Sequence, residues 1–97
     1  TETPFAFLRI GKCYESLGDL DKAMEFYHKT VNEDPLLDKG WLALTDIYMK
    51  KGMLEKAMQN IKKALNIDEE VPDYWNKIGE IYVRLNQLEK TEKQRFL

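Results

Sequence analysis

A recurrence with a period of 34 residues constrains this chain more than any other feature. The segment WLALTDIYMKKG begins at Trp41, FLRIGKCYESLG lies 34 residues before it, and WNKIGEIYVRLN lies 34 residues after it. Residues 4–37 align with residues 38–71 without a gap, and ten positions carry the same residue: Leu8/Leu42, Tyr14/Tyr48, Gly18/Gly52, Leu20/Leu54, Lys22/Lys56, Ala23/Ala57, Met24/Met58, Lys29/Lys63, Asn32/Asn66 and Asp34/Asp68. Such a repeat predicts a stacked array of one small unit rather than one irregular core.

Within each copy, the apolar residues follow a helical spacing. In copy one the first stripe is Phe7, Ile10, Gly11, Tyr14 and Leu17, and the second is Leu20, Ala23, Met24, Tyr27 and Val31. Gly18 separates the two stripes, Asp19 is a favourable N-cap for the second helix, and Asp34-Pro35 ends it. Thr3 and Pro4 form a start signal for the first helix. Each copy therefore predicts two antiparallel helices joined by a tight turn, and no strand pattern is present.

The positions of small and bulky residues indicate how the helix pairs pack. We expect helices to approach each other closely at the small positions, which are Gly11, Ala23, Ala57 and Gly79. We expect the bulky positions to fill the space between neighbouring pairs; these are Phe7, Trp41 and Trp75. Cys13 is predicted to lie in a packed layer with Ile47 and Ile81, and exposure of Trp41 and Trp75 to water would contradict the arrangement.

The repeated positions resemble the tetratricopeptide repeat. The bulky position is Phe7, Trp41 and Trp75; the next apolar position is Ile10, Leu44 and Ile78; the small position is Gly11, Thr45 and Gly79; the tyrosine is Tyr14, Tyr48 and Tyr82; the turn residue is Gly18, Gly52 and Asn86; and the second-helix alanine is Ala23, Ala57 and Thr91. Three later positions follow the family pattern less strictly: the aromatic position is Tyr27 and Ile61, the late alanine position is Thr30 and Ala64, and the proline position is Pro35 and Glu69. In the third copy Thr91 replaces alanine, and Arg95 stands where an aromatic residue is expected.

The resemblance implies an all-α solenoid of about three helix-turn-helix repeats wound as a right-handed superhelix. Residues 4–97 are expected to form one domain, with repeat 1 at about 4–37, repeat 2 at about 38–71 and repeat 3 at about 72–97. The second helix of repeat 3 is expected to be truncated, and the chain to be a piece of a longer protein.

The resemblance also implies a function, because first helices of successive repeats in this family line a concave groove that usually binds peptide segments. By register, the candidate groove residues are Phe5, Leu8, Lys12, Glu15, Ser16, Lys39, Leu42, Asp46, Met49, Lys50, Asp73, Asn76, Glu80, Val83 and Arg84. They mix acidic, basic and apolar side chains, which suits a mixed-charge or amphipathic segment better than a highly charged one. The alternative is that these charges are solvated and pair with one another.

One sub-family uses lysines and asparagines in this groove to bind the C-terminal carboxylate of chaperones. The matching positions here are Leu8, Lys12, Ala43, Asp73 and Lys77. Leu8, Ala43 and Asp73 are wrong in type for that purpose, so a carboxylate clamp is not expected.

Composition and spacing give little support to other functions. The net charge of −2 offers no basic field for nucleic acid or acidic lipid, and no apolar run is long enough to cross a membrane. His28 and Cys13 are expected on different helices, with no zinc spacing and no catalytic pair. Asp68-Glu69-Glu70 lacks the pattern of a calcium loop and is interpreted as a solvated turn. No cofactor, metal or catalytic residue is predicted, and the chain is not expected to be an enzyme.

Three interpretations of function follow from these residues. The first is a scaffold or adaptor module that binds a protein or peptide partner. The second is a structural or self-association element of a larger protein, of an enzymatic, secretion or assembly type, in which the end of KQRFL, with Phe96 and Leu97, meets another copy. The third places catalysis in a domain outside these residues. A single cysteine and the absence of a leader pattern favour the cytoplasm.

Overall fold

Five α-helices make up the regular structure of residues 3–96. The computed structural model describes residues 3–96, with side chains described for residues 3–92. The helices are α1 (Pro4–Ser16), α2 (Leu20–Glu33), α3 (Asp38–Lys50), α4 (Leu54–Ile67) and α5 (Pro72–Phe96). Helices α1 and α2 form one packed hairpin, α3 and α4 form the next, and α2 packs on α3 as α4 packs on α5. The predicted all-α array of helical hairpins is confirmed.

Glycine forms both hairpin turns, as the sequence predicts. Gly18 has a φ of 85° and Gly52 a φ of 75°, a left-handed conformation that residues with a Cβ rarely adopt. The amide of Asp19 donates to the Tyr14 carbonyl at 2.9 Å, and the amide of Met53 donates to the Tyr48 carbonyl at 2.8 Å. Each glycine therefore completes a Schellman motif, which satisfies the last carbonyls of the first helix and reverses the chain.

The predicted helix starts of the first hairpin are also present. The Thr3 hydroxyl accepts a hydrogen bond from the Ala6 amide at 3.2 Å, and the Asp19 carboxylate accepts one from the Lys22 amide at 3.0 Å. Pro4 occupies the first turn of α1, where a missing amide proton costs nothing. Local sequence signals thus set where α1 and α2 begin, and the glycine turns set where α1 and α3 end.

The core lies between the helices of each hairpin and between neighbouring hairpins. Ala23 and Ala57 are fully buried, as predicted for positions of close approach. A Cβ on Gly11 would lie 2.4 Å from Tyr27 Cε1, so only glycine lets the Tyr27 ring lie against α1. Between hairpins, a Cβ on Gly40 would lie 2.9 Å from Val31 Cγ1, which shows how closely the start of α3 approaches α2.

Cys13 is exposed, so its predicted place in a packed layer is wrong. The equivalent residues Ile47 and Ile81 are fully buried, each on a helix that follows an earlier hairpin. Helix α1 begins the array described here and has no earlier hairpin to cover the Cys13 side. The same repeat position is therefore buried or exposed according to its neighbour.

The predicted turn at Asn86 is also wrong, because α5 runs without a break from Pro72 to Phe96. Asparagine adopts left-handed angles less readily than glycine. The residues that would form the second helix carry Thr91 in place of alanine and Arg95 in place of an aromatic residue, so folding back would bury little apolar surface. Continuing the helix keeps its backbone hydrogen bonds and is the better solution. The outer limits of the three repeats remain a prediction.

Because no second helix covers α5, the residues predicted to pack there are exposed. Trp75 and Tyr82 are each 55% exposed, and Gly79 has no neighbouring atom within 4 Å of its Cβ position. The prediction of burial fails at these three positions, whereas Trp41 is partly buried and packs on the core as expected. Tyr74, one residue before Trp75, is fully buried instead, and its hydroxyl donates to Asp38 Oδ2 at 2.6 Å.

Asp68, Glu69 and Glu70 are exposed at the turn before α5, as interpreted from the sequence. Among residues 3–96, no helix is both long enough and apolar enough to cross a lipid bilayer.

Substituting alanine at two equivalent glycines tests this packing. We expect Gly11→Ala to lower the free energy of unfolding by about 1–3 kcal/mol, because the new Cβ meets the buried Tyr27 ring. Gly79→Ala makes no such contact and should raise it by about 0.5–1 kcal/mol through helix propensity alone. Urea denaturation of both variants measures the difference, and equal effects would contradict the close approach at Gly11.

Candidate functional site

Helices α1, α3 and α5, the first helices of the three repeats, form one surface of the array. This surface carries two adjoining clefts. One cleft of about 480 Å³ is lined by Glu15, Asp46, Met49, Lys50, Lys77, Glu80 and Arg84. The other, of about 600 Å³, is lined by Leu42, Asp46, Asp73, Asn76, Lys77 and Glu80. The clefts meet at Asp46, Lys77 and Glu80, and together they are called the groove below. Side chains from α1, α3 and α5 line it, whereas α2 and α4 contribute none of these residues.

Ion pairs cross the groove from helix to helix. Lys50 of α3 approaches Glu15 of α1, with 2.5 Å between Nζ and Oε2. Lys77 of α5 approaches Asp46 of α3, with 2.6 Å between Nζ and Oδ1. These pairs connect all three repeats through their first helices. Since both are partly solvated, each is expected to add little to stability, and their main effect is to fix the positions of the charges.

Glu15 is the most strongly anchored charge in the groove. Its Oε1 accepts a hydrogen bond from the Tyr27 hydroxyl at 2.6 Å, while Oε2 meets Lys50. Burial on its own raises the pKa of the Glu15 carboxyl, but the hydrogen bonds from Lys50 and Tyr27 and the charges of Lys50 and Lys12 hold that pKa below its ordinary value. The carboxylate therefore stays ionised and links α1, α2 and α3.

Apolar side chains form part of the groove wall. Leu42 is partly buried and lines the cleft between α3 and α5. Met49 lines the other cleft but is only 7% exposed, so most of it belongs to the core. The groove thus offers limited apolar surface surrounded by fixed charges of both signs.

The structure brings together nine of the candidate groove residues, and the remaining ones lie outside the two clefts. Those inside are Glu15, Leu42, Asp46, Met49, Lys50, Asp73, Asn76, Glu80 and Arg84. Outside them, Phe5, Lys12, Ser16 and Val83 are exposed. Leu8 is buried in the core, and the Lys39 ammonium lies 5.5 Å from the centre of the Tyr74 ring.

Lys77 lines both clefts but was not among the candidate groove residues. The sequence names it only as a position of the carboxylate clamp, and its repeat equivalent, Ala43, is only 2% exposed. A lysine at such a position can extend its ammonium to the surface while its stem packs below. The sequence signal that points to it is the acid at Asp46, which the lysine meets across the groove.

The cysteine and the histidine considered for catalysis and metal binding lie outside the groove. Cys13 is on α1 and His28 is on the exposed side of α2. The Tyr48 hydroxyl lies 3.4 Å from His28 Nε2. Burial and the nearby charge of Lys56 lower the pKa of His28. Within the described residues, no group of His, Cys, Asp and Glu side chains has an arrangement that could hold a metal ion.

Family models match both halves of the array. A tetratricopeptide repeat model matches residues 5–36, and a second TPR repeat model matches residues 46–86. The chain belongs to the tetratricopeptide repeat (TPR) family. No curated protein sequence matches the chain. The TPR repeat is typically an interaction module without catalytic residues.

Solved TPR structures share the fold. The second TPR domain of Spaghetti (RPAP3), bound to the HSP90 peptide SRMEEVD, superposes with a TM-score of 0.83 at 16% identity, over 95% of this chain and 85% of that one. YrrB, a TPR protein with an unusual peptide-binding site, gives 0.78 at 24% identity, over 84% of this chain and 42% of that one. The C-terminal TPR-containing domain of a Plasmodium falciparum putative FK506-binding protein gives 0.78 at 25% identity, over 90% and 58%. The chain thus spans less than half of YrrB.

We expect Glu15, in the TPR groove, to make the free energy of unfolding depend on pH. Its folded pKa lies below that of the unfolded chain, which is about 4.3. The stabilisation it provides is therefore complete above pH 4.3 and is lost as the pH falls through the folded pKa. We expect Glu15→Gln to lower the free energy of unfolding by about 1 kcal/mol at pH 7 and by almost nothing well below the folded pKa.

Denaturation of both proteins at several pH values measures this difference. Tyr27→Phe provides the control, because it removes one hydrogen bond and should move the carbon-13-detected pKa of Glu15 upwards. If Glu15→Gln lowers the free energy of unfolding by the same amount at every pH, the lowered pKa of Glu15 is contradicted.

Proposed function

We propose that this chain is an interaction module that binds a segment of a partner protein in its groove. The observation that carries the proposal is the groove itself, in which three helices present apolar surface between fixed charges. Leu42 offers an apolar contact, and Asn76 beside it offers an amide that both donates and accepts. Family membership and peptide-bound TPR structures support binding of this general kind.

The charges of the groove indicate what kind of segment fits. Lys50, Lys77 and Arg84 each lie within 4 Å of an acid, namely Glu15, Asp46 and Glu80. Among the described side chains, Asp73 has no ion-pair partner and leaves the groove slightly acidic. A helical or extended segment with an apolar side chain for Leu42 and a basic group for Asp73 complements this surface.

The groove does not suit a free C-terminal carboxylate of the type that the chaperone-binding sub-family recognises. Leu8 and Ala43 are buried, and Asp73 would repel an anion. Lys77 already lies against Asp46. The Spaghetti domains were solved with the HSP90 peptide SRMEEVD, but they are only 16% and 19% identical to this chain. We therefore propose an internal segment of the partner as the ligand.

A matched pair of substitutions tests this function. Leu42→Glu places a charge on the groove wall, whereas Leu36→Glu makes the same change at a residue that is 77% exposed in the turn before α3. We expect a peptide selected against the intact chain from a random library to bind Leu42→Glu at least about tenfold more weakly. Its affinity for Leu36→Glu should be unchanged. Isothermal titration measures both, and equal binding would exclude the groove.

Self-association through the C-terminal end remains an alternative prediction. Leu97 and the side chain of Phe96, on which that prediction depends, lie outside the described residues. Sedimentation equilibrium over a wide concentration range decides the matter, and a monomer throughout would contradict it.

A further inference from the structure

A second surface, on the side of α5 away from the groove, has no helix against it in the described part of the chain. Trp75, Gly79 and Tyr82 follow one another at helical spacing along this side, with Ile78 at its edge. These residues are called the outer face of α5. Trp75 and Tyr82 are each 55% exposed, and among the described residues no atom outside the neighbouring α5 backbone lies within 4 Å of the Cβ position of Gly79. Two aromatic side chains this exposed on one side of a helix form the kind of apolar patch that marks an interaction site.

The first hairpin shows what the equivalent surface contacts. Phe7, Gly11 and Tyr14 of α1 match Trp75, Gly79 and Tyr82 by repeat register. Helix α2 covers them: the Tyr27 ring lies over Gly11, and the Phe26 ring stacks on Tyr14 with 5.6 Å between the ring centres. The outer face of α5 therefore has the shape that elsewhere in this chain receives an antiparallel helix.

The second hairpin repeats this arrangement and adds an electrostatic contact. The Lys63 ammonium of α4 lies 4.4 Å from the centre of the Trp41 ring, and the Lys29 ammonium of α2 lies 5.8 Å from that of Phe7. Lysine and ring occupy the same register in both hairpins. A cation over an aromatic face is attracted by the ring quadrupole. Trp75 offers the same face with no described lysine over it.

Trp75 is held in the orientation that this contact needs. Its indole N–H donates to the Glu69 carbonyl at 3.0 Å, as the indole N–H of Trp41 donates to the Pro35 carbonyl at 2.8 Å. The ring is thus preorganised before anything covers it, which lowers the entropy cost of binding.

The residues that follow in this chain do not supply the covering helix. They continue α5 beyond Asn86 instead of turning back. By register, Thr91 would stand where Ala23 and Ala57 lie, and Arg95 where Tyr27 lies over Gly11. Neither residue suits the surface, so residues 87–96 do not supply the complement.

We propose that the outer face of α5 docks an antiparallel amphipathic helix of a partner protein, which completes the third hairpin in trans. Helix α2 specifies the chemistry of that helix. It carries a small residue, a large apolar residue four positions later whose side chain lies over Gly79, and a lysine two positions after that over Trp75. Ala23, Tyr27 and Lys29 are this set in α2, and α4 has Ala57, Ile61 and Lys63. The surface is separate from the groove, so the chain binds two segments at once.

A synthetic peptide of residues 18–36 is the probe, because it carries the α2 pattern with its own N-cap. It is titrated into the intact, nitrogen-15-labelled chain, whose two indole N–H signals come from Trp41 and Trp75. We expect the Trp75 signal to shift and saturate with a Kd below about 1 mM, a weak value because a short isolated helix is only marginally formed. The Trp41 signal and the groove amides should not move.

Two controls separate docking from unspecific adhesion. A peptide with Tyr27→Ser lacks the ring that lies over Gly79 and should bind at least about tenfold more weakly. In the chain, Gly79→Leu adds a side chain at a position whose Cβ has open space, so it should weaken docking by a similar factor without lowering thermal stability or groove binding. Leu42→Glu should leave peptide docking unchanged.

Three results would overturn the proposal. They are no shift of the Trp75 signal at 1 mM peptide, equal binding of the Tyr27→Ser peptide, and shifts confined to the groove. Concentration-dependent burial of Trp75 without peptide, with a dimer in sedimentation, would show instead that a second copy occupies this face. Because the readout is at Trp75, failure here leaves the proposed groove function standing, and failure of the groove leaves this proposal standing.

Discussion

A helical hairpin of this type cannot cover its own apolar surface, and the rest of the structure depends on that constraint. Each hairpin buries one side of its helices internally and needs a neighbour for the other. Helix α3 lies between α2 and α4, and its residues Leu44, Thr45 and Ile47 are fully buried. Helices at the ends of the array, by contrast, carry exposed residues at equivalent positions, as Cys13 and Trp75 show. Burial in this chain is therefore a property of the stack more than of any one repeat.

The same constraint creates the groove. Stacking places the first helices α1, α3 and α5 side by side, and the ion pairs between Glu15 and Lys50 and between Asp46 and Lys77 join them at the surface. Tyr27 passes from the core of the first hairpin to Glu15, so a core side chain fixes the position of a groove charge. Rigid spacing of charges on three helices suits recognition of a partner segment, because the surface needs little rearrangement on binding.

Local signals in the sequence were sufficient for the two hairpins. Gly18 and Gly52 could be assigned to turns because their left-handed conformation is a local property, and Thr3 and Asp19 could be assigned as caps for the same reason. The turns and caps depend on residues close in sequence. The candidate groove residues came from the family resemblance and the repeat register; nine of them line the two clefts, and their binding of a partner stays a prediction.

Features that depend on neighbouring helices could not be predicted in this way. Register alone could not show that Trp75 and Tyr82 lack a covering helix, because that depends on whether Asn86 reverses the chain. The contact of Lys77 with Asp46 depends on how α5 lies against α3, which register does not give, and the equivalent residue Ala43 is buried. Tyr74 was missed because its repeat equivalent is Gly40, a residue with no side chain to suggest a core role.

Amide hydrogen exchange of the intact chain tests the stacking account most directly. If coverage by neighbours on both sides determines stability, amides in the middle of α3 and α4 exchange slowest, those of α1 faster, and those of α5 beyond residue 86 fastest. Uniform protection across all five helices, or slowest exchange in α1 or the end of α5, would contradict it.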